Sequence, residues 1–199
     1  MNGEGAARPA RPRPAKPRVR ILFVIAAAVL GLDIASKAIV VATLSDRAPV
    51  RLLGGLLTLR ESRNSGAAFS IGTSMTVVFT LIAVGVIVFI VRTSRRIYSL
   101  PWAVALGLLL GGAMGNLGDR IFRSPGPFRG WVVDWIELPH WPVFNLADSA
   151  IVCGGVLMVL IAARGYRIDG KVQGGELPPP RDGARSERSQ ERQPGGGRG

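Results

Sequence analysis

The sequence predicts an α-helical integral membrane protein of four transmembrane helices with a small platform of extended segments on one side. Three observations carry that prediction. The 199 residues are 48% hydrophobic and only 19% charged, with mean hydropathy +0.30, whereas a soluble domain carries about 25% charged residues. The basic residues gather at the ends: residues 1–20 hold six Lys/Arg and residues 164–199 hold eight. Between them lie four apolar runs near the length of about 20 residues that crosses a bilayer. This composition excludes an intrinsically disordered chain and argues against a soluble enzyme.

The first span covers about 21–44 and carries Asp33 and Lys37. A basic stretch followed by an apolar one also describes a secretory signal peptide. Here the apolar run continues past two charges, no small-x-small cleavage site opens a soluble domain, and three further spans follow. The second span, about 74–91, and the third, about 100–117, have no charge, and the fourth, about 143–163, has only Asp148. Six basic residues precede span one, Arg92, Arg95 and Arg96 join spans two and three, and Arg164, Arg167 and Lys171 follow span four. By the positive-inside rule these segments are cytoplasmic, so both termini are too.

The outer connections, about 45–73 and 118–142, are more than loops. Val50 to Glu61 reads as two short strands around Gly54-Gly55. Gly130 to Leu138, rich in Val and Trp, adds a further extended piece, and Trp131, Trp135 and Trp141 suit a bilayer–water interface. Residues 1–19 and 166–199, rich in Arg, Pro and Gly, read as disordered tails. Gly107, Gly111 and Gly115 form a small-residue stripe that packs helices within one molecule or between two, so the sequence leaves the oligomeric state open.

Formal net charge is +12 with pI near 11.5. Such values suit nucleic acid, but here the basic residues flank apolar runs. Membrane lipid, and not nucleic acid, is the expected partner. A lone cysteine, Cys153, allows no internal disulfide. A single histidine, His140, argues against His-based metal or Ser/His chemistry.

An ionisable group inside a span costs about 2.5–3.5 kcal/mol, so each one needs a reason. Asp33 and Lys37 stand four apart on one helix face and read first as an internal ion pair. If span three continues as helix, Asn116, Asp119 and Arg120 share a face. Asp119 beside a permanent cation is a brace rather than a proton shuttle. Asp148 falls about 8 Å below the top of span four at 1.5 Å per residue, with no local basic partner and with Asn145 on the same face. Asp134 sits between apolar neighbours in Val132-Val133-Asp134-Trp135. Neither carboxyl helps folding there, and both converge on the same outer level.

Two such carboxyls cannot both ionise readily, so one keeps its proton beside an ionised partner. That is equipment for water attack on an amide. Intramembrane acids also mark proton or ion relays, which makes transport the main rival reading. A metal site built from Asp119, Asp134, Glu137, His140 and Asp148 is a third, against which the missing His pair speaks.

Five motifs together resemble a known family, the lipoprotein signal peptidases (signal peptidase II). They are Asp33-x-x-x-Lys37; Asn64-Ser65-Gly66-Ala67-Ala68-Phe69-Ser70; Gly115-Asn116-x-x-Asp119-Arg120; Val132-Val133-Asp134; and Phe144-Asn145-x-Ala147-Asp148-Ser149-Ala150. They span about residues 20–165. The resemblance implies a bacterial inner-membrane aspartic peptidase with an extracytoplasmic β-cradle, a target of the antibiotic globomycin. It implies cleavage of prolipoproteins before a diacylglyceryl-modified cysteine, without cofactor or metal. Asp134 and Asp148 would be the catalytic pair. Asn64, Gly66, Asn116, Asp119, Arg120, Asn145 and Ala147, with Asp33 and Lys37, would bind substrate or support the site. Residues 123–129 lengthen the loop before Asp134 relative to that family.

Overall fold

A computed structural model describes residues 17–66 and 74–169. The tails at 1–16 and 170–199, and the small-residue segment Ala67–Ser70, lie outside them. Four helices form the bundle: α1 (Val19–Leu44), α2 (Ser74–Thr93), α3 (Leu100–Phe122) and α4 (Leu146–Ala163). They are 26, 20, 23 and 18 residues long, none shorter than the roughly 17 residues that a membrane-spanning helix needs. Pro101 stands in the first turn of α3, where its missing N–H costs nothing.

α3 is the central helix. Ala103, Ala105, Leu106 and Leu110 are buried on it, while α1, α2 and α4 leave large apolar side chains exposed, among them Leu32, Ile39, Leu81, Phe89, Val152 and Val159. A buried helix ringed by apolar outer faces is what lipid solvent favours. The Gly107/Gly111/Gly115 stripe works within the molecule. A Cβ added at Gly111 would lie 2.7 Å from both the Ala26 carbonyl oxygen and Val29 Cβ of α1, so the backbones touch only because no side chain intervenes. Farther along, Gly115 leaves room for the Asp33 carboxylate.

We expect Gly111→Ala to destabilise the bundle by about 1–3 kcal/mol, the usual cost of overpacking. At Gly118 an added Cβ meets nothing within 4 Å, and Gly118→Ala should leave the thermal midpoint in detergent unchanged or slightly raised. Equal midpoints for the two variants would contradict the close α1–α3 approach.

Beyond α1 the chain forms an antiparallel sheet in the order β1 (Val50–Leu52), β2 (Leu57–Asn64), β3 (Val132–Glu137). The predicted hairpin is present: Val50 pairs with Leu59 and Leu52 with Leu57, around a turn through Leu53–Gly55. Between the pairs Leu59–Ile136 and Ser62–Asp134, β2 advances from 59 to 62 while β3 moves only from 136 to 134. The extra residue on β2 is a bulge, which re-aims the strand that follows. Asn64 ends that strand opposite Val132, near Asp134. On the other side of β3, Phe144 exchanges backbone hydrogen bonds of 2.9 Å with Ile136, which sets Asn145 and the start of α4 beside the sheet.

Span three runs on as helix past Asp119 and Arg120 to Phe122. Span four begins at Leu146 rather than near 143, so Asp148 lies in the first turn of α4. Residues 123–130 turn back on α3, with the Gly130 N–H donating to the Arg120 carbonyl at 3.0 Å. The chain also stays ordered beyond residue 165: Tyr98 and Ser99 N–H donate to the Ile168 carbonyl at 3.0 and 3.2 Å. The sheet and the start of α4 stand at one end of the bundle. The opposite end carries Arg18 and Arg20 before and within α1, Arg92 in the last turn of α2 with Arg95 and Arg96 after it, and Arg164 and Arg167 after α4.

Candidate active site

At the sheet end, Asp134 and Asp148 are joined through two asparagine side chains. Asn145 Nδ2 donates to Asp134 Oδ1 at 2.6 Å and to Asn116 Oδ1 at 3.2 Å. Asn116 Nδ2 in turn donates to Asp148 Oδ1 at 2.7 Å. Asn64 Nδ2 reaches the other Asp134 oxygen at 3.0 Å. One network thus gathers groups from β2, β3, α3 and α4.

Local sequence explains each position. Asn145 caps α4 by accepting the Asp148 N–H at 2.9 Å, and Asp148 Oδ2 accepts the Asn145 N–H at 3.2 Å. This is a capping box. The expectation that neither carboxyl helps folding is therefore corrected for Asp148, which closes the first turn of its own helix. Asn64 combines two roles: Oδ1 accepts the Gly66 N–H at 2.8 Å in an Asx turn, while its amide serves Asp134. Gly66 has φ +83 and is buried, with Phe79 packed where a Cβ would point. A larger residue there meets both backbone strain and a steric block.

Asp134 is 2% exposed. Burial, and next the charge of Asp148, push its carboxyl up to about 6 from 3.8, against the amides of Asn64 and Asn145 and the charge of Lys37. The native state therefore holds this proton more tightly than the unfolded chain does. Its contribution to stability is complete below pH 3.8 and is lost as pH rises through about 6. Holding the carboxyl at about 6 rather than 3.8 is worth about 3 kcal/mol. We expect the unfolding free energy of the wild type to fall by that order across this window relative to Asp134→Asn. Parallel pH profiles for the two proteins would contradict the raised carboxyl.

Below the pair lies a cationic hub. Lys37, 1% exposed, forms ion pairs with Asp33 at 2.7 Å and Asp119 at 2.9 Å and donates to Asn116 Oδ1 at 3.1 Å. Three oxygens thus surround its ammonium, as many as it has N–H donors. Asp33 Oδ1 accepts the N–H of buried Ala147 at 3.0 Å, and Asp119 Oδ2 accepts the Val133 N–H at 3.2 Å. The hub fixes the start of α4 and β3, the segments that carry Asp148 and Asp134.

The predicted Asp33–Lys37 pair is present. The expected pairing of Asp119 with Arg120 is not what forms: Asp119 pairs with Lys37 and Arg123. Arg123 stands four residues on and Lys37 reaches across from α1, and these leave Arg120 free to turn elsewhere. Its guanidinium lies 5.9 Å from the Phe79 ring centroid and donates to the Asn116 carbonyl at 3.2 Å, while Nε is buried with no hydrogen-bond partner among the described residues. Neither Arg123 nor Phe79 was among the expected site residues. The former is an i,i+4 pair with Asp119 and was readable.

A cavity of about 360 Å³ opens between α2, α3 and α4. Asn64, Asn116, Arg120 and Asp148 stand on its wall, and Phe79, Ile82 and Leu109 help to make the rest apolar. Among the described residues no three His, Cys, Asp or Glu are grouped to hold a metal ion. Of the five residues of the metal reading, Asp119 is committed to cations and Glu137 pairs with Arg60 at 2.9 Å.

Comparison with known proteins places this geometry. A family model described as signal peptidase (SPase) II matches residues 25–164. The chain is 55% identical over 157 residues to a lipoprotein signal peptidase of Streptomyces coelicolor, covering 79% of this chain and 77% of that one. It is 49% identical over 168 residues to one of Rhodococcus jostii, covering 84% and 85%. A solved bacterial membrane enzyme, determined in meso at 1.9 Å, superposes with TM-score 0.66 at 27% identity over 76% of this chain and 97% of that one. The five motifs, the four-helix bundle with its sheet and these matches agree, and the chain belongs to the signal peptidase II family of membrane proteases.

Proposed function

We propose that this protein removes the signal peptide from prolipoproteins, cutting before the diacylglyceryl-modified cysteine, with Asp134 and Asp148 as an acid–base pair. The observation that carries the reading is the network joining the two carboxyls through Asn145 and Asn116 at the head of an apolar cavity. A substrate with an apolar signal helix and two acyl chains approaches sideways through lipid, and a groove between helices suits that approach.

Asp148, on the cavity wall, takes a proton from water. The resulting hydroxide attacks the scissile carbonyl carbon while Asp134 gives its proton to the carbonyl oxygen. Asp148 then returns its proton to the amide nitrogen, Asp134 recovers one from the gem-diol, and the C–N bond breaks. A carboxyl held near pH 6 is matched to such acid–base work near neutrality. Both termini lie in the cytoplasm and the pair acts near the outer surface of the bacterial cytoplasmic membrane. The seven arginines at the opposite end support this orientation.

Mass spectrometry of a synthetic diacylglyceryl-cysteine precursor after incubation with the purified protein tests the reading. One cut before the modified cysteine, unaffected by EDTA, is expected. Loss with EDTA that a divalent ion restores would favour a metal enzyme. An intact precursor together with dissipation of a proton gradient by reconstituted protein would favour the transport alternative.

A further inference from the structure

At the end of the bundle remote from the acid pair is a second cavity, of about 530 Å³. Trp102, Tyr166 and Ile168 give it apolar and aromatic walls, and Arg96 and Arg167 bring positive charge to it. Its shape is fixed by hydrogen bonds to backbone carbonyls. Trp102 Nε1 donates to the Tyr166 carbonyl at 2.9 Å, Tyr166 N–H donates to the Ile161 carbonyl at 3.2 Å, and Tyr98 and Ser99 hold Ile168. The segment after α4 is thereby clamped to the start of α3, which builds a pocket at the level where a helical bundle meets headgroups.

Asp169 also stands on its wall, so the charged lining is two arginines and one acid, net positive by one. Among the described residues, seven arginines stand at this end, and Asp169 is an exposed acid 3.5 Å from Arg167. An exposed pair of that length holds its partners weakly, so a phosphate can compete for Arg167. From this charge complementarity we propose that the cavity binds an anionic phospholipid, with the headgroup phosphate between Arg96 and Arg167 and an acyl chain running down the adjoining apolar helix faces. The glycerol backbone lies against Trp102 and Tyr166, whose rings belong at this depth of a bilayer. Arg92 and Arg95 add general attraction but do not line the cavity. The bound lipid braces the α2–α3 connection against the end of α4.

The test uses the full chain in detergent, titrated with phosphatidylglycerol, phosphatidylcholine or inorganic phosphate while the thermal midpoint is followed. Phosphatidylglycerol raises the midpoint saturably, and the other two do not. Arg96→Gln with Arg167→Gln weakens binding roughly 25-fold, about five-fold per arginine. Arg92→Gln with Arg95→Gln weakens it less. Arg96→Lys with Arg167→Lys retains most of it, which separates lost charge from lost folding. If the glutamine pair does not accumulate, titration of the wild type at rising NaCl decides, with progressive weakening expected. Equal stabilisation by phosphatidylcholine, an equal effect of free phosphate, equal weakening by the two arginine pairs, or indifference to salt would each overturn the proposal.

Discussion

Asp134→Asn and Asp148→Asn each lower cleavage of a lipidated precursor by at least roughly 1,000-fold, within the range that a positioned acid or base supplies, while the protein still inserts and folds. The two substitutions remove different things. At position 134 an amide carries no proton to give to the carbonyl oxygen, and one of its atoms becomes a donor facing the donor amides of Asn64 and Asn145. At position 148 the base is lost, but an asparagine oxygen can still accept one of the two N–H groups that the carboxylate serves. The folding cost there should stay near the value of a helix cap, about 1 kcal/mol. Precursor cleavage followed by mass spectrometry, beside thermal midpoints of the same preparations, separates chemistry from folding. Normal turnover by either variant removes that carboxyl from the mechanism.

Lys37→Met has the largest expected effect on stability, a loss of about 3–5 kcal/mol. Methionine fills the space but removes the cation from two buried carboxylates, Asp33 and Asp119. Asp119 keeps Arg123, whereas Asp33 keeps, among the described residues, the Ala147 N–H. A second substitution, Asp33→Asn, should therefore recover part of the loss, because it removes the charge left without a counterion. Thermal unfolding in detergent reads both. A single variant within about 1 kcal/mol of the wild type, the worth of an exposed pair, would mean that the hub does not hold the bundle together. The Lys37 variant should also lose activity, since the hub positions β3 and the start of α4 through Val133 and Ala147.

The readable parts of this protein were those written in local pattern. Four spans follow from hydropathy, the hairpin from glycines between extended runs, and the Asp33–Lys37 pair from its spacing of four. Gly107 and Gly111 announced a close helix contact, though not that α1 is the helix that fills it. The capping box of α4 was also legible in Asn145-x-x-Asp148, but Val143 and Phe144 prolong the apolar run and hide where the helix begins. Contacts between distant segments were not legible. Lys37 and Asn116 lie 79 residues apart, and Asn64 and Asp134 lie 70 apart. Only the bulged register of β2 on β3 and the Phe144–Ile136 bridge bring the second pair and Asn145 together. Arg120 shows the limit most clearly. Its charge suggested the adjacent carboxylate, yet packing set it over Phe79 and gave Asp119 to Lys37 and Arg123.

The central claim is that the two carboxyls activate water without becoming bonded to the substrate. A single turnover in water enriched in oxygen-18, with protein in excess over a diacylglyceryl-cysteine precursor, tests it most directly. The account predicts one heavy oxygen in the new carboxyl terminus of the released signal peptide and none in the protein. Heavy oxygen in Asp134 or Asp148, with an unlabelled peptide, would show a carboxylate attacking the amide itself and would contradict the account.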